Sequence, residues 1–145
     1  MASDAVRLAA PIPVLRIFDV AKAYEFYCDY LGFTIDWEHR FGADFPLYAQ
    51  LSRSSATVHS SEHHGDGTPG SVVWIAVDDI AALHAELAAK DYRYAKPGCP
   101  QEGPGGPGVD LADPFGNTLR FAQPESRTTL VPSRLWRRWV GRDYR

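Results

Sequence analysis

A chain of 145 residues, 45% hydrophobic and 23% charged, has the make-up of one globular domain able to bury its own core. No apolar run approaches the roughly 20 residues of a membrane span, and MASDAVRLAAPIP lacks the basic-then-apolar order of a secretion signal. A cytoplasmic protein without a membrane partner is expected, and two cysteines, Cys28 and Cys99, without C-x-x-C spacing fit a reducing compartment.

In chain order, VLRIF (14–18) predicts a strand, and Asp19 caps a helix with Val20, Tyr24, Tyr27 and Leu31 inward and Gly32 as its stop. Strands are expected at 35–39, 47–51 and 56–60, followed by the loop EHHGDGTPGS. The second half repeats the first. Shifted by 60, VVWIAVDDIAAL (72–83) overlays IPVLRIFDVAKA (12–23), with Asp79 at the place of Asp19 and Ile80, Leu83 and Leu87 inward. Strands at 109–113 and 117–122 flank the turn DPFGN, and the Gly/Pro-rich stretch 97–108 reads as a loop that replaces or shortens a strand. Two repeated modules imply pseudo-twofold packing around a shared cavity.

The net charge of −3 hides a division. Residues 126–145 hold six arginines against one acid, which leaves nine basic and seventeen acidic residues in 1–125, about −8. An acidic body attracts cations and repels nucleic acid. The tail SRLWRRWVGRDYR suits either a short amphipathic helix for a partner or packing back on the acidic body, the simpler reading.

The runs PIPVLRIFDVAKAYEFYCDYLGF, VDDIAALHAEL and DPFGN resemble the vicinal oxygen chelate superfamily of glyoxalases, extradiol dioxygenases and bleomycin resistance proteins, over about 9–123. The resemblance implies an α+β fold of paired βαβββ modules, about 9–62 and 70–123, with 124–145 outside it. Enzymes of that superfamily place a metal ligand on the first and last strand of each module. Those places carry Ile12, His59, Val72 and Arg120 here, and the repeat itself pairs Ile12 with Val72 and His59 with Arg120. Two hydrocarbons and a guanidinium cannot bind a cation, so the superfamily's metal centre is expected to be absent and no cofactor is implied. His59, His63, His64, Glu62 and Asp66 crowd one stretch, and a non-standard metal site there stays open. The simpler reading makes His59 a cavity residue and the other two histidines a hydrated rim.

The bleomycin resistance proteins are similar in lacking the metal set, and the resemblance implies a homodimer that exchanges N-terminal strands, with Pro13 matching the arm's proline. It also implies groove positions at Trp37, Phe41, Ser60 and Trp74. The family's P-W-G segment appears as Pro104-Gly105-Gly106, which removes a stacking ring. With Phe45 and the acids Asp36, Glu38, Asp44, Glu62 and Asp66, the aromatics suit a cationic, partly aromatic ligand. The expected ligand contacts are Trp37, Phe41, His59, Ser60, Trp74 and Arg120, with Arg120 pairing an internal carboxylate or an anionic part of the ligand. Sequestration of a bleomycin-class antibiotic is the resulting expectation. The rival is a metal-dependent lyase, isomerase or dioxygenase, and a third class is a partner-binding protein acting through the tail.

Overall fold

Strands alternate their side chains between two faces, so a sheet covered by helix on one side buries every second residue. The computed structural model describes residues 5–125; the Arg/Trp-rich stretch 126–145 lies outside them. The elements are β1 (Val14–Arg16), α1 (Val20–Tyr24) with a π-helical continuation (Glu25–Tyr30), β2 (Thr34–His39), β3 (Tyr48–Arg53), β4 (Ala56–Ser61), β5 (Val72–Ala76), α2 (Ile80–Ala89), β6 (Gly108–Ala112) and β7 (Thr118–Ala122). They form two sheets, ordered β1-β4-β3-β2 and β5-β7-β6. The architecture is α+β, with the strand–helix–strands order of the sequence repeat in each half. The Gly/Pro-rich stretch contributes only an isolated bridge, Gln101 to Gly108, so among the described residues the second sheet has three strands against four in the first. The described residues form two compact units, one of 5–73 with 112–118, the other of 74–111 with 119–125.

In the first unit the Asp19 carboxylate accepts from Lys22 N at 2.8 Å, satisfying one of the unpaired N–H groups at the helix start. The helix then widens. Leu31 N donates to Phe26 O, five residues back, and Gly32 closes the segment at φ +77°, a conformation that glycine adopts without strain. Ala23, Phe26, Tyr27 and Tyr30 from this segment are buried, as are Leu15, Ala49, Leu51 and Val58 from one face of the sheet. The Arg53 guanidinium ties helix end to strand by donating to Leu31 O at 2.8 Å.

The turn DPFGN belongs to this unit, although it lies fifty residues beyond β4 in sequence. Asp113 explains why. One carboxylate oxygen accepts from Phe115 N and Asn117 N, both at 2.8 Å. The other accepts from Tyr27 Oη at 2.7 Å and Asn117 Nδ2 at 2.8 Å. Asn117 Nδ2 also donates to Arg16 O at 3.0 Å. A buried acceptor thus joins helix, first strand and turn, and burial together with the Asp113 charge raises the Tyr27 phenol far above its usual range.

In the second unit, Asp79 caps α2 by accepting from Ala82 N at 3.0 Å. Ile80 and Leu87 are buried with Val109, Leu111, Leu119 and Phe121, the inward residues of β6 and β7. The alternate residues Trp74, Asp110 and Arg120 remain exposed.

Removing the Tyr27 hydroxyl leaves a buried carboxylate one donor short. Tyr27→Phe should therefore lower unfolding free energy by about 1.5–3 kcal/mol, the range for hydrogen bonds to charged groups, in urea titrations at pH 7. A change below about 0.5 kcal/mol, the scatter of ordinary surface substitutions, would show that the Asp113 cluster does not hold the turn.

Candidate functional site

The four-stranded sheet leaves one face open, and its register decides what stands there. Trp37 opposes Gln50, and Gln50 opposes His59, which pairs in turn with Val14 on β1. The next row runs His39, Tyr48, Ser61 and Arg16. A bulge between Ile35 and Trp37 shifts β2 by one residue. It lets Asp36 reach the same side as Trp37, where it accepts from Gln50 Nε2 at 3.0 Å and Ser52 Oγ at 2.9 Å. Those two donors hold the Asp36 carboxyl below its usual range.

His59 stands at the centre of this face. Its Nε2 lies 3.0 Å from Gln50 Oε1, and its Nδ1 lies 2.7 Å from Tyr48 Oη. Loss of solvent lowers its pKa, favouring the neutral ring. The Trp37 indole packs edge-on to it at 5.3 Å and stacks with the Tyr48 ring at 6.0 Å, 10° from parallel. The Tyr48 phenol is pushed up, first by desolvation and then by the Asp66 charge.

Beside this cluster opens a cavity of about 400 Å³ lined by Trp37, His39, Phe41, Tyr48, His63 and Asp66. Phe41 stands edge-on to His39 at 4.6 Å and to His63 at 5.9 Å. Ser61 Oγ fixes the far wall, donating to Asp66 Oδ2 at 2.8 Å while accepting from His63 N at 3.1 Å. Of the five acids expected near the rim, Asp66 alone lines the cavity. Glu62 accepts from Leu47 N at 2.9 Å and lies 3.7 Å from Arg40, while Asp36 is held by Gln50 and Ser52.

The expected contact residues therefore separate. Trp37 and Phe41 line the cavity, and His59 backs it through Tyr48. Ser60 does not belong there: next to His59 on a strand, it points to the opposite face, fully buried, its Oγ without a hydrogen-bond partner. Trp74 and Arg120 stand on the exposed face of the other sheet. Arg120 is engaged by Asp110, with Nε 3.0 Å from Oδ1 and Nη2 3.1 Å from Oδ2. A Cβ at Gly105 would lie 3.1 Å from the Trp74 ring, so the indole packs against this glycine. Tyr48, Gln50 and His39 were not singled out from sequence. The signal was there, because LYAQL buries Leu47, Ala49 and Leu51 and must send Tyr48 and Gln50 to the other side.

The superfamily's metal does not fit this donor set. Ile12 and Val72 offer hydrocarbon, and Arg120 offers a guanidinium already paired with Asp110. Among the described residues no group of three or more His, Cys, Asp or Glu side chains is placed to hold a metal ion. No described helix is long and apolar enough to cross a membrane.

Residues 2–127 match the family model described as glyoxalase superfamily protein. Among solved structures, the chain is similar to the bleomycin-binding protein of bleomycin-producing Streptomyces verticillus, complexed with copper(II)-bleomycin, at 32% identity and TM-score 0.61, over 83% of this chain and 99% of that one. A glyoxalase/bleomycin resistance protein from Streptomyces sp. CB03234 shares 25% identity at TM-score 0.58, over 77% and 95% of the two chains. The bleomycin resistance determinant encoded on transposon Tn5 shares the fold, with TM-score 0.64 and 23% identity over 82% and 100%. Among curated proteins none matches the sequence.

Since the Ser60 hydroxyl is buried without a partner, Ser60→Ala should leave stability within about 0.5 kcal/mol of the parent or raise it, measured by denaturant unfolding. A loss beyond about 1 kcal/mol would mean that the hydroxyl is hydrogen-bonded after all.

Proposed function

Because the chain belongs to the glyoxalase superfamily, we propose that it binds a large, cationic, partly aromatic molecule, an antibiotic of the bleomycin class, and acts by sequestering it rather than by transforming it. The carrying observation is the composition of the cavity wall in the first unit: Trp37, Phe41 and Tyr48 offer ring faces and edges, and Asp66 offers the single carboxylate. Rings bind flat groups by offset stacking and hold cations against their faces, and a carboxylate anchors an ammonium or amidinium. The volume of about 400 Å³, in the range of small-molecule sites, gives room for a flat cationic portion of such a ligand. The Streptomyces verticillus relative, bound to copper(II)-bleomycin, supports the ligand class. Trp74 and Arg120 supply a second contact surface, with Trp74 standing in for the ring missing at Gly105.

The working form proposed is a homodimer in the cytoplasm, joined through the N-terminal arm. Residues 5–12 carry no regular structure, and Val6, Leu8 and Ile12 leave apolar surface in water. Such an arm gains by packing on a second copy.

Calorimetry with bleomycin, with and without copper, tests the ligand. Saturation should approach about two drug molecules per dimer, as twofold symmetry requires. Trp37→Ala and Trp74→Ala should each weaken binding by more than about 1 kcal/mol. Absence of heat across the soluble range contradicts the assignment. Conversion of the drug, abolished by chelator, would put a metal-dependent enzyme in its place.

The arm is tested by light scattering. Deleting residues 1–11 should turn the dimer into a monomer, and an unchanged dimer mass would exclude arm exchange.

A further inference from the structure

Four side chains on the open face form one continuous hydrogen-bonded chain, and the chemistry of its first member fixes the direction of every bond in it. A carboxylate only accepts. Asp36, held ionised by two donors, must therefore face the Nε2 end of the Gln50 amide, at 3.0 Å. That leaves Gln50 Oε1 toward His59 Nε2, also at 3.0 Å. An amide oxygen only accepts, so His59 Nε2 must carry the proton. In a neutral ring the opposite nitrogen is then a lone pair, and Tyr48 Oη, 2.7 Å from Nδ1, must spend its only proton on it. What remains of the Tyr48 oxygen toward the cavity is lone-pair density, next to the Asp66 carboxylate on the same wall. Desolvation and the Asp66 charge keep the phenol from ionising, so the arrangement holds across the neutral range.

We propose that the Asp36–Gln50–His59–Tyr48 chain locks His59 as its Nε2–H tautomer, so that Tyr48 faces the cavity as an acceptor and, with Asp66, selects ligands carrying a protonated N–H group beside a flat ring. This rests on the reading that the cavity is the binding site. A ligand presenting only a carbonyl or carboxylate would set acceptor against acceptor, and a desolvated polar group without a partner costs more than a hydrogen bond contributes. Gln50 touches no ligand in this account. It is a positioning residue, acting through His59.

The chain also gives selection a pH dependence. A protonated His59 donates from both nitrogens, so Tyr48 must turn, accept from Nδ1 and offer its proton to the cavity. Preference for donors should then fall with pH as the ring gains its proton, below the ordinary histidine range. The other ionisable groups near His59 are Asp66 and His63 on the loop after β4, His39 on β2 and Arg16 on β1, whose guanidinium lies over the Phe18 ring. Glu62 is paired with Arg40, and Glu38 lies across from Ala49 on the alternate side of β2.

The test joins two measurements on the full chain. Nitrogen-15 NMR of the imidazole signals at pH 7.5 should report His59 as the Nε2–H tautomer in the parent protein, and as a mixture in Gln50→Met. NMR titrations with benzamidine, a flat ring bearing an N–H cation, and acetophenone, a flat ring bearing only an acceptor, should favour benzamidine by about tenfold or more, the effect of one charge-assisted hydrogen bond. Tyr48→Phe and Gln50→Met should each shrink that preference several-fold. A His59 found as the Nδ1–H tautomer, or a tautomer and preference both unmoved in Gln50→Met, overturns the proposal. Binding of both probes without preference overturns selection while sparing the binding site. Binding of neither overturns selection and the proposed function together.

Discussion

The first unit is governed by the parity of its strands. Leu47, Ala49 and Leu51, with Val58 across from them, must go under the helical layer, because that layer supplies the cover for their hydrocarbon. Tyr48, Gln50 and His59 are thereby sent to the other side, whatever their chemistry. A one-residue slip would exchange the two sets, burying an amide, a phenol and an imidazole while exposing four aliphatic side chains. The hydrogen-bonded row across the sheet is thus set by the packing beneath it. Its polar members satisfy one another there, and the cavity inherits a wall whose donors and acceptors have fixed directions.

Much of this was legible in the sequence because local rules were strong. Asp19 and Asp79 announce the two helix starts, and the 60-residue repeat gives the strand–helix–strands order twice, both matching the structure. The membership implied by the D-P-x-G-N turn and the L-G-F segment agrees with the family match over residues 2–127. What could not be read depends on contacts distant in the chain. The widened helical turn around Phe26 keeps the spacing of a regular helix while altering its hydrogen bonds, so periodicity alone does not show it. The bulge that brings Asp36 beside Trp37 arises from pairing with β3, and nothing within β2 marks it. Ser60 follows from strand alternation: next to His59, it stands on the opposite, buried face of the sheet. The bonds that tie this turn to the helix and first strand, Tyr27 to Asp113 and Asn117 to the backbone of Arg16, join positions 86 and 101 residues apart, beyond any local pattern.

At the four positions where the resemblance to the vicinal oxygen chelate superfamily implies metal ligands, the chain has hydrocarbon at Ile12 and Val72, an imidazole at His59 and, at Arg120, a guanidinium paired with Asp110. The Asp110 carboxylate raises the already high pKa of the guanidinium further, so Arg120 keeps its charge at any pH the fold tolerates. The cavity wall in the first unit is made of rings and a carboxylate, from Trp37, Phe41, Tyr48 and Asp66 among others.

The account turns on whether a flat cation occupies the open face of the first unit. Proton–nitrogen NMR follows the indole N–H of Trp37 directly, assigned through its loss in Trp37→Phe, while a cationic, partly aromatic drug of the bleomycin class is titrated in. The account requires that signal to shift with the same affinity as the bulk binding isotherm, together with the side-chain amide of Gln50. A drug that binds while both signals stay still would place recognition elsewhere on the protein and contradict it.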